Sequence, residues 1–316
     1  MKLRRTAIRA CLLCLLASVC FAVRPVIFDT DMGNDIDDAL ALAMLHALSD
    51  RGECDLIGVT LTNANRAAVP YIRMLNRFYG RGDLPVGGAI KALKGGDGDG
   101  YMTAALRNSP AGDASGAEPA PALLRRLLSN AHEKAVIVQT GFSTNLAALL
   151  DSPGGPELVR EKVALLVAMA GNFVEAEPEY NVRIDIASAK AVFERWPTPI
   201  VFSGFEIGRE LLYPAASIEN DFTYALHHPI ADSYRAYSKM PYNRPTWDLT
   251  AALEAVRPQR GYFALSVTGA VFVESNGATR FTPGTGDRQY LRLDPSKRAE
   301  ILSVLTLLTS QPPARR

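Results

Sequence analysis

Cysteine is almost absent where it could shape a fold. Of the four cysteines in 316 residues, Cys11, Cys14 and Cys20 fall in a short N-terminal segment, and Cys54 alone lies in the remainder. A disulfide framework and a thiolate metal cluster are thereby excluded for the mature chain. A large excess of charge is also lacking, since 34 Lys+Arg face 33 Asp+Glu for a net charge of +1. Nothing in that balance points to a nucleic-acid polyanion as partner. The apolar stretch from Ala10 to Val19 is too short to span a bilayer. No internal repeat and no clean inter-domain linker interrupts the sequence.

What is present begins with that N-terminal segment. Lys2, Arg4, Arg5 and Arg9 precede the apolar stretch, and Ala22 suits a cleavage position, the layout of a secretory signal peptide over residues 1–22. A lipoprotein anchor at Cys20 fits less well, because Val19 stands where a small residue is wanted. Export is expected, to the periplasm or beyond the cell, with no stable membrane insertion after cleavage. Cleavage takes four positive charges and no acids from the total, leaving a net charge of about −3 on residues 23–316. At 48% hydrophobic and 21% charged, that remainder reads as one globular domain.

From Pro25 onward, β-branched runs alternate with helical patterns. Strands are predicted at Val26 to Phe28, Leu56 to Leu61, Ala135 to Gln139, Val163 to Met169 and Pro199 to Ser203. Helices are predicted at Ala39 to Leu48, Val69 to Tyr79, Pro119 to Asn130, Asn145 to Asp151 and Ala187 to Trp196. The Gly-, Asp- and Pro-rich stretch from Lys94 to Pro121 reads as a surface excursion or lid. Tyr262 to Glu274 and Ala278 to Thr282 read as an antiparallel pair, and Pro295 to Thr309 as a closing helix. The expected fold is α/β, an open, mostly parallel, Rossmann-like sheet flanked by helices, with a small antiparallel C-terminal addition. Ligands of such sheets sit outside the carboxyl ends of the strands, where several polar motifs of this chain fall.

The sharpest motif is the run from Asp29 to Asp38, DTDMGNDIDD, which sets five carboxylates between an apolar strand and an apolar helix. Like charges so crowded repel unless a cation gathers them. Hard oxygen ligands with no neighbouring His or Cys favour calcium or magnesium over zinc, and crowding favours the larger calcium. The plainer alternative is a solvated loop in which Asp37 or Asp38 caps a helix, but a cap needs one aspartate.

This run resembles the opening of the inosine-uridine-preferring nucleoside hydrolase family, an aspartate-rich DxDxGxDDA loop between strand and helix. Asp29, Asp31 and Gly33 match its strand side and Asp37-Asp38-Ala39 its helix side. The loop is two residues longer, which makes Asp35 an extra acid. Thr140-Gly141-Phe142-Ser143-Thr144-Asn145-Leu146 resembles the family's TGPLTNL turn. Met169-Ala170-Gly171-Asn172 and Glu179-Tyr180-Asn181-Val182 resemble its GGN and EFN segments, and Trp247-Asp248 its late metal motif. The shared order of these motifs is more specific than any one of them.

The resemblance implies hydrolysis of the N-glycosidic bond of ribonucleosides by a calcium-bound water. It implies Ca2+ held by Asp31, Asp38, the Thr140 carbonyl and Asp248, with Asp31 also the general base. Asp37, Asn65, Asn172, Glu179 and Asn181 are then expected at the sugar and Trp247 at the base, and a homo-oligomer is the expected assembly. Asp185 reads as a helix N-terminal residue. Trp247 departs from the family pattern, which often has a histidine there to protonate the leaving base; tryptophan cannot donate such a proton. Either the indole stacks on the base, or the acid comes from the segment holding His227, His228, Tyr234, Tyr237 and Tyr242.

Two other readings stand beside this one. Asp29 and Asp31 have the DxD spacing of haloacid-dehalogenase-like phosphatases, with Asp29 as nucleophile. A periplasmic nucleoside or sugar binding protein could keep the metal site without turnover, as Trp247 suggests.

Overall fold

A computed structural model describes residues 23–93, 100–109 and 116–314. The expected signal segment and, within the expected excursion from Lys94 to Pro121, residues 94–99 and 110–115 lie outside the described residues. Among the described residues thirteen strands follow in chain order. The first seven are β1 (Pro25–Thr30), β2 (Asp55–Leu61), β3 (Val86–Gly88), β4 (Glu118–Pro119), β5 (Ala135–Gln139), β6 (Val163–Met169) and β7 (Ile200–Ser203). Then come β8 (Leu212–Tyr213), β9 (Arg244–Pro245), β10 (Ala264–Leu265), β11 (Gly269–Val273), β12 (Thr279–Pro283) and β13 (Arg288–Arg292).

The main sheet runs β12-β11-β13-β7-β6-β5-β1-β2-β3-β4, parallel from β13 to β4, with β10 paired to β13. Its antiparallel part lies at the β11–β12 end, and β8 pairs with β9 in a separate two-stranded sheet. The chain leaves β1 in one direction through β2, β3 and β4, then returns to place β5 on the other side of β1. The order therefore reverses between β1 and β5, and a crevice opens at their carboxyl ends.

Alternation along the central strands explains their burial on both faces. Val26, Phe28, Val136, Val138, Val167 and Met169 join one apolar cluster, while Ile27, Ala135, Ile137, Leu166 and Ala168 join the other. With period two, such strands must be apolar at every position, which is why they read as unbroken hydrophobic runs. The helix Asp37–Asp50 is buried from Asp37 to Leu48 and packs against the helices Trp247–Val256 and Arg298–Thr309. It is a core helix, so its apolar residues lie all round rather than along one stripe.

The expected strands and helices agree with the observed ones to within two residues at most ends. The stretch taken as an excursion contains a helix, Gly100–Asn108, and the short strand β4. In the C-terminal part β11 pairs with β12 as expected, but β10 pairs with β13, and β13 runs parallel to β7 as an unexpected extension of the main sheet. The closing element is a 3-10 turn, Pro295–Lys297, leading into the helix Arg298–Thr309. Among the described residues no helix is long and apolar enough to cross a membrane.

Gly141 lets the turn after β5 meet the end of β1. A Cβ there would collide with Thr62 Oγ1, which donates to the Thr30 carbonyl and accepts from the Phe142 nitrogen, and come within 2.6 Å of the Asp31 nitrogen. Gly141→Ala should lower stability by roughly 1–3 kcal/mol, the usual cost of overpacking a tight site. Gly100→Ala, which meets nothing within 4 Å, should leave the thermal midpoint unchanged or slightly raised. Equal melting curves for the two variants and the parent would refute this account of the turn.

Candidate active site

The acidic loop is shaped before it is charged. Thr30 ends β1 and donates its hydroxyl to Asp38, while its Oγ1 accepts from the Met32 nitrogen at 3.1 Å. Gly33 follows at φ 118°, a conformation that favours glycine. The chain then enters the helix Asp37–Asp50 with Asp37 and Asp38 in its first turn. Asp248 occupies the first turn of the helix Trp247–Val256, and its backbone nitrogen donates to Asp37 Oδ2 at 3.2 Å. Two helix N-termini thus direct positive dipole ends at one acidic group.

Beneath this floor Asp29 ties the strands together. Its Oδ1 accepts from Thr60 Oγ1 at 2.6 Å and from Asn145 Nδ2 at 2.8 Å, and its carbonyl accepts from the Thr140 nitrogen at 2.7 Å. Asp29 is fully buried and does not line the crevice. A phosphatase nucleophile must reach its substrate, so this position speaks against the DxD phosphatase reading.

Above the floor lies a cleft of about 300 Å³. Of the residues singled out from sequence, Asp31, Asp37, Asp38, Thr140, Glu179, Asn181, Trp247 and Asp248 line it together. Carboxylate oxygens of Asp37, Asp38 and Asp248 lie within 4.8 Å of one another. Asp31 Oδ2 is buried with no hydrogen-bond partner among the described residues. Burial first, then repulsion from Asp38 and Asp37, holds the Asp31 carboxyl well above the usual carboxylate range. Burial likewise raises Asp37 and Asp248, with neighbouring carboxylates adding to the effect, and pushes Asp38 up to about 7. This donor set fits a divalent cation: the carboxylates of Asp37, Asp38 and Asp248 lie close together, and the unpartnered Asp31 oxygen and Thr140 line the same cleft.

The sugar-side residues are held by backbone contacts. Asn181 donates through Nδ2 to the Thr140 carbonyl at 2.8 Å and the Met169 carbonyl at 3.0 Å. Its Oδ1 accepts no hydrogen bond among the described residues, which leaves an acceptor for a ligand hydroxyl. Glu179 caps the short helix Tyr180–Ile184, accepting from the nitrogens of Gly171, Asn181 and Val182, and burial pushes its carboxyl up to about 7.

Asn65 and Asn172 do not line the cleft. Asn65 Oδ1 accepts from the Ala67 nitrogen at 2.8 Å, and Asn172 Oδ1 accepts from the nitrogens of Val174 at 3.2 Å and Glu175 at 2.9 Å. Both are local turn contacts of the kind asparagine often makes. Asp185 caps the helix Ile186–Arg195 through the Ser188 nitrogen, in line with its reading as a helix N-terminal residue.

Neither histidine of the C-terminal segment reaches the cleft. His228 is buried, caps the helix Pro229–Tyr237 and bonds to Tyr224 at 2.7 Å, and burial pulls its pKa down to about 3. His227 is half exposed beside Asp232. Tyr234 and Tyr242 bond to backbone carbonyls, whereas Tyr237 does line the cleft.

Several cleft residues were not singled out from sequence. Asn34 accepts from the Tyr180 hydroxyl at 3.3 Å, and Phe205 stacks on Trp247 with ring centroids 5.4 Å apart. Trp247 Nε1 donates to the Phe205 carbonyl at 2.8 Å, which fixes the indole. Arg244 forms a forked ion pair with Asp35, its Nε 2.9 Å from Oδ1, and its guanidinium stands over Tyr237 and Trp247. The surplus acid of the long loop was the available signal: a half-buried Asp35 outside the metal pattern needs a cation.

The profile of the inosine-uridine preferring nucleoside hydrolases matches residues 26–301. The chain belongs to this family. The pyrimidine-specific ribonucleoside hydrolase RihA of Citrobacter koseri is 33% identical over 202 residues, covering 58% of this chain and 60% of the relative. The matched part of this nucleoside hydrolase family member thus spans about three fifths of that relative's length. Two solved structures share the fold. An inosine-uridine preferring nucleoside hydrolase from Bacillus anthracis has a TM-score of 0.73 at 18% identity, covering 91% of this chain and 99% of that one. A plant nucleoside hydrolase has a TM-score of 0.70 at 22% identity, covering 92% and 99%.

The raised carboxyls set the sign of a pH effect. Asp38 has a folded pKa of about 7, above its unfolded value, so its protonated form stabilises the cation-free protein at low pH. That stability is lost as pH rises through about 7, and a bound cation replaces the lost protons. At cation concentrations of about 100 Kd the stabilisation is roughly 2.7 kcal/mol. Differential scanning calorimetry should therefore give a midpoint rise on adding calcium that is larger at pH 8 than at pH 5.5. An equal rise at both, or none, would rule out a cation among these carboxylates.

Proposed function

We propose that this protein hydrolyses the N-glycosidic bond of ribonucleosides to free base and ribose, using calcium, after export from the cytoplasm. The observation that carries the reading is the convergence of Asp31, Asp37, Asp38 and Asp248 with the Thr140 carbonyl and Asn181 in one cleft, in a chain of this family. Pyrimidine nucleosides are the preferred substrates in this reading, which the RihA relatives support.

Hard, crowded oxygen donors suit calcium. Bound by Asp31, Asp38, the Thr140 carbonyl and Asp248, it would supply positive charge that acidifies water and orients sugar hydroxyls. The Thr140 oxygen already accepts from Asn181 and has a second lone pair for that purpose. Asp31, whose Oδ2 has no other partner, takes the proton of the attacking water. Asp37 and the free Oδ1 of Asn181 accept from the sugar hydroxyls, and Glu179 holds the far side of the ring. Together they fix the sugar with its C1′ presented to water, where positioning lowers the barrier most. Asn65 and Asn172 are left out of this assignment, because neither lines the cleft. The base lies against Trp247, Phe205 and Tyr237, an apolar wall for a flat ring.

Reducing-sugar release from a panel of purine and pyrimidine ribonucleosides tests the reading. Calcium-dependent release is expected, abolished by chelator and lowered about 10²- to 10⁴-fold by Asp31→Ala. The second reading, nucleoside binding without turnover, draws on Trp247 in the position where many relatives carry a proton donor. Tight binding measured by calorimetry, with no sugar released over days, would replace the first reading with the second.

A further inference from the structure

We infer that Arg244 is the catalytic residue for the leaving base, stabilising its departing negative charge through a hydrogen bond from a permanently charged guanidinium. The inference deepens the reading above and rests on it.

Breaking a C1′–N bond sends the bonding electron pair to the base, so the base end of the cleft needs either a proton donor or a fixed positive charge. No histidine lines the cleft among the described residues. Trp247 cannot act as an acid and spends its N–H on the Phe205 carbonyl. The Tyr180 hydroxyl donates to Asn34, and burial, with Asp35 beside it, holds the Tyr237 hydroxyl well above its ordinary pKa. Glu179 is held by three backbone N–H groups among the sugar-side residues. The floor consists of carboxylates, and Arg244 is the single cationic side chain that lines the cleft among the described residues.

Its placement suits that task. The guanidinium carbon lies 5.1 Å from the Tyr237 ring centre and 5.5 Å from that of Trp247, among the aromatic residues of the cleft. Nε and Nη2 are committed to Asp35, while Nη1 makes no hydrogen bond among the described residues. Asp35 thus fixes the plane of the fork and leaves one nitrogen for a ligand. The Arg244 side chain is 29% exposed and that of Asp35 13%, so the pair is shielded from bulk water yet open to the cleft. Arg244 lies at the start of the segment that delivers Trp247 and Asp248. The two-residue extension of the acidic loop supplies its anchor.

The step balances as follows. The C1′–N bond breaks, and its electron pair leaves on the base nitrogen and spreads onto the ring carbonyl oxygen, which accepts a hydrogen bond from Arg244 Nη1. Arg244 keeps its proton. Water bonds to C1′ and gives one proton to the acidic floor, and the released base anion takes a proton from solvent. The substrate class is a riboside whose base carries a ring carbonyl conjugated with the glycosidic nitrogen, as uracil does.

The test compares uridine with 4-nitrophenyl β-ribofuranoside, whose nitrophenolate leaves without assistance, using the full mature chain in saturating calcium. Arg244→Gln should lower kcat for uridine by about 10²- to 10³-fold, the usual loss on removing one preorganised donor. It should lower kcat for the nitrophenyl riboside by less than about tenfold, and that retained activity also reports an intact fold. Arg244→Lys keeps a cation without the fork, and its uridine-to-nitrophenyl ratio should fall by an intermediate amount. Equal losses on both substrates in Arg244→Lys, or undiminished uridine turnover in Arg244→Gln, overturns the inference while leaving the hydrolase reading intact. A parent enzyme inert on both ribosides overturns both.

Discussion

Mutual repulsion among buried carboxylates is the constraint around which the rest of this protein is organised. Three of them bring oxygens within 4.8 Å of one another. At that separation, and with an effective dielectric of about 20, each ionised pair costs about 3.5 kcal/mol. Three such pairs approach the whole net stability of an ordinary domain, roughly 5–15 kcal/mol. The two helix N-termini that carry Asp37, Asp38 and Asp248 return only about 0.3–1 kcal/mol for each favourable charge. Dipoles therefore do not balance the repulsion. Protons or a cation must, and the raised pKa values of these groups express that same demand.

Rigid support is needed to hold a group that would otherwise spread apart, and the sheet supplies it. β1 sits between β5 and β2 at the reversal of strand order, so the acidic loop and the Thr140 turn leave neighbouring strands side by side. Asp29 fastens them from below through Thr60, Asn145 and the Thr140 nitrogen. Its own burial, which pushes the carboxyl up to about 7, is offset in part by the bonds from Thr60 and Asn145. Asp29 thus belongs to the framework, although its place in the motif resembles that of a reacting group.

The central strands are legible from sequence because burial on both faces turns them into unbroken apolar runs, and β5 and β6 coincide with the predicted spans. The acidic loop is legible for the opposite reason, since so many carboxylates together have few uses. β13 is not legible: Arg288–Arg292 has two arginines and becomes a strand through its pairing with β7. The helix Gly100–Asn108 hides in a glycine-rich stretch and rests on the burial of Tyr101, Met102 and Ala105. Motif spacing located Asn65 and Asn172 but carried no information on their backbone contacts. The Asp35–Arg244 pair joins residues 209 positions apart, a distance no local pattern spans.

The cleft divides into two halves with different structural origins. The ionic half is built where the loops after β1 and β5 and the helix at Asp248 converge, and a change there disturbs the core. The aromatic half comes from Phe205, Tyr237, Arg244 and Trp247, all on segments that follow the central strands in sequence. Asp35 bridges the two, because it sits in the acidic loop yet bonds to the aromatic side. A longer loop with one more acid therefore changes the base end of the site and leaves the carboxylate floor in place. In physical terms, a fixed charge held by an ion pair can replace a titrating acid whenever the leaving group departs as an anion. A tryptophan before Asp248 is then compatible with catalysis, provided the fixed charge is held as firmly as the fork between Arg244 and Asp35 holds it here.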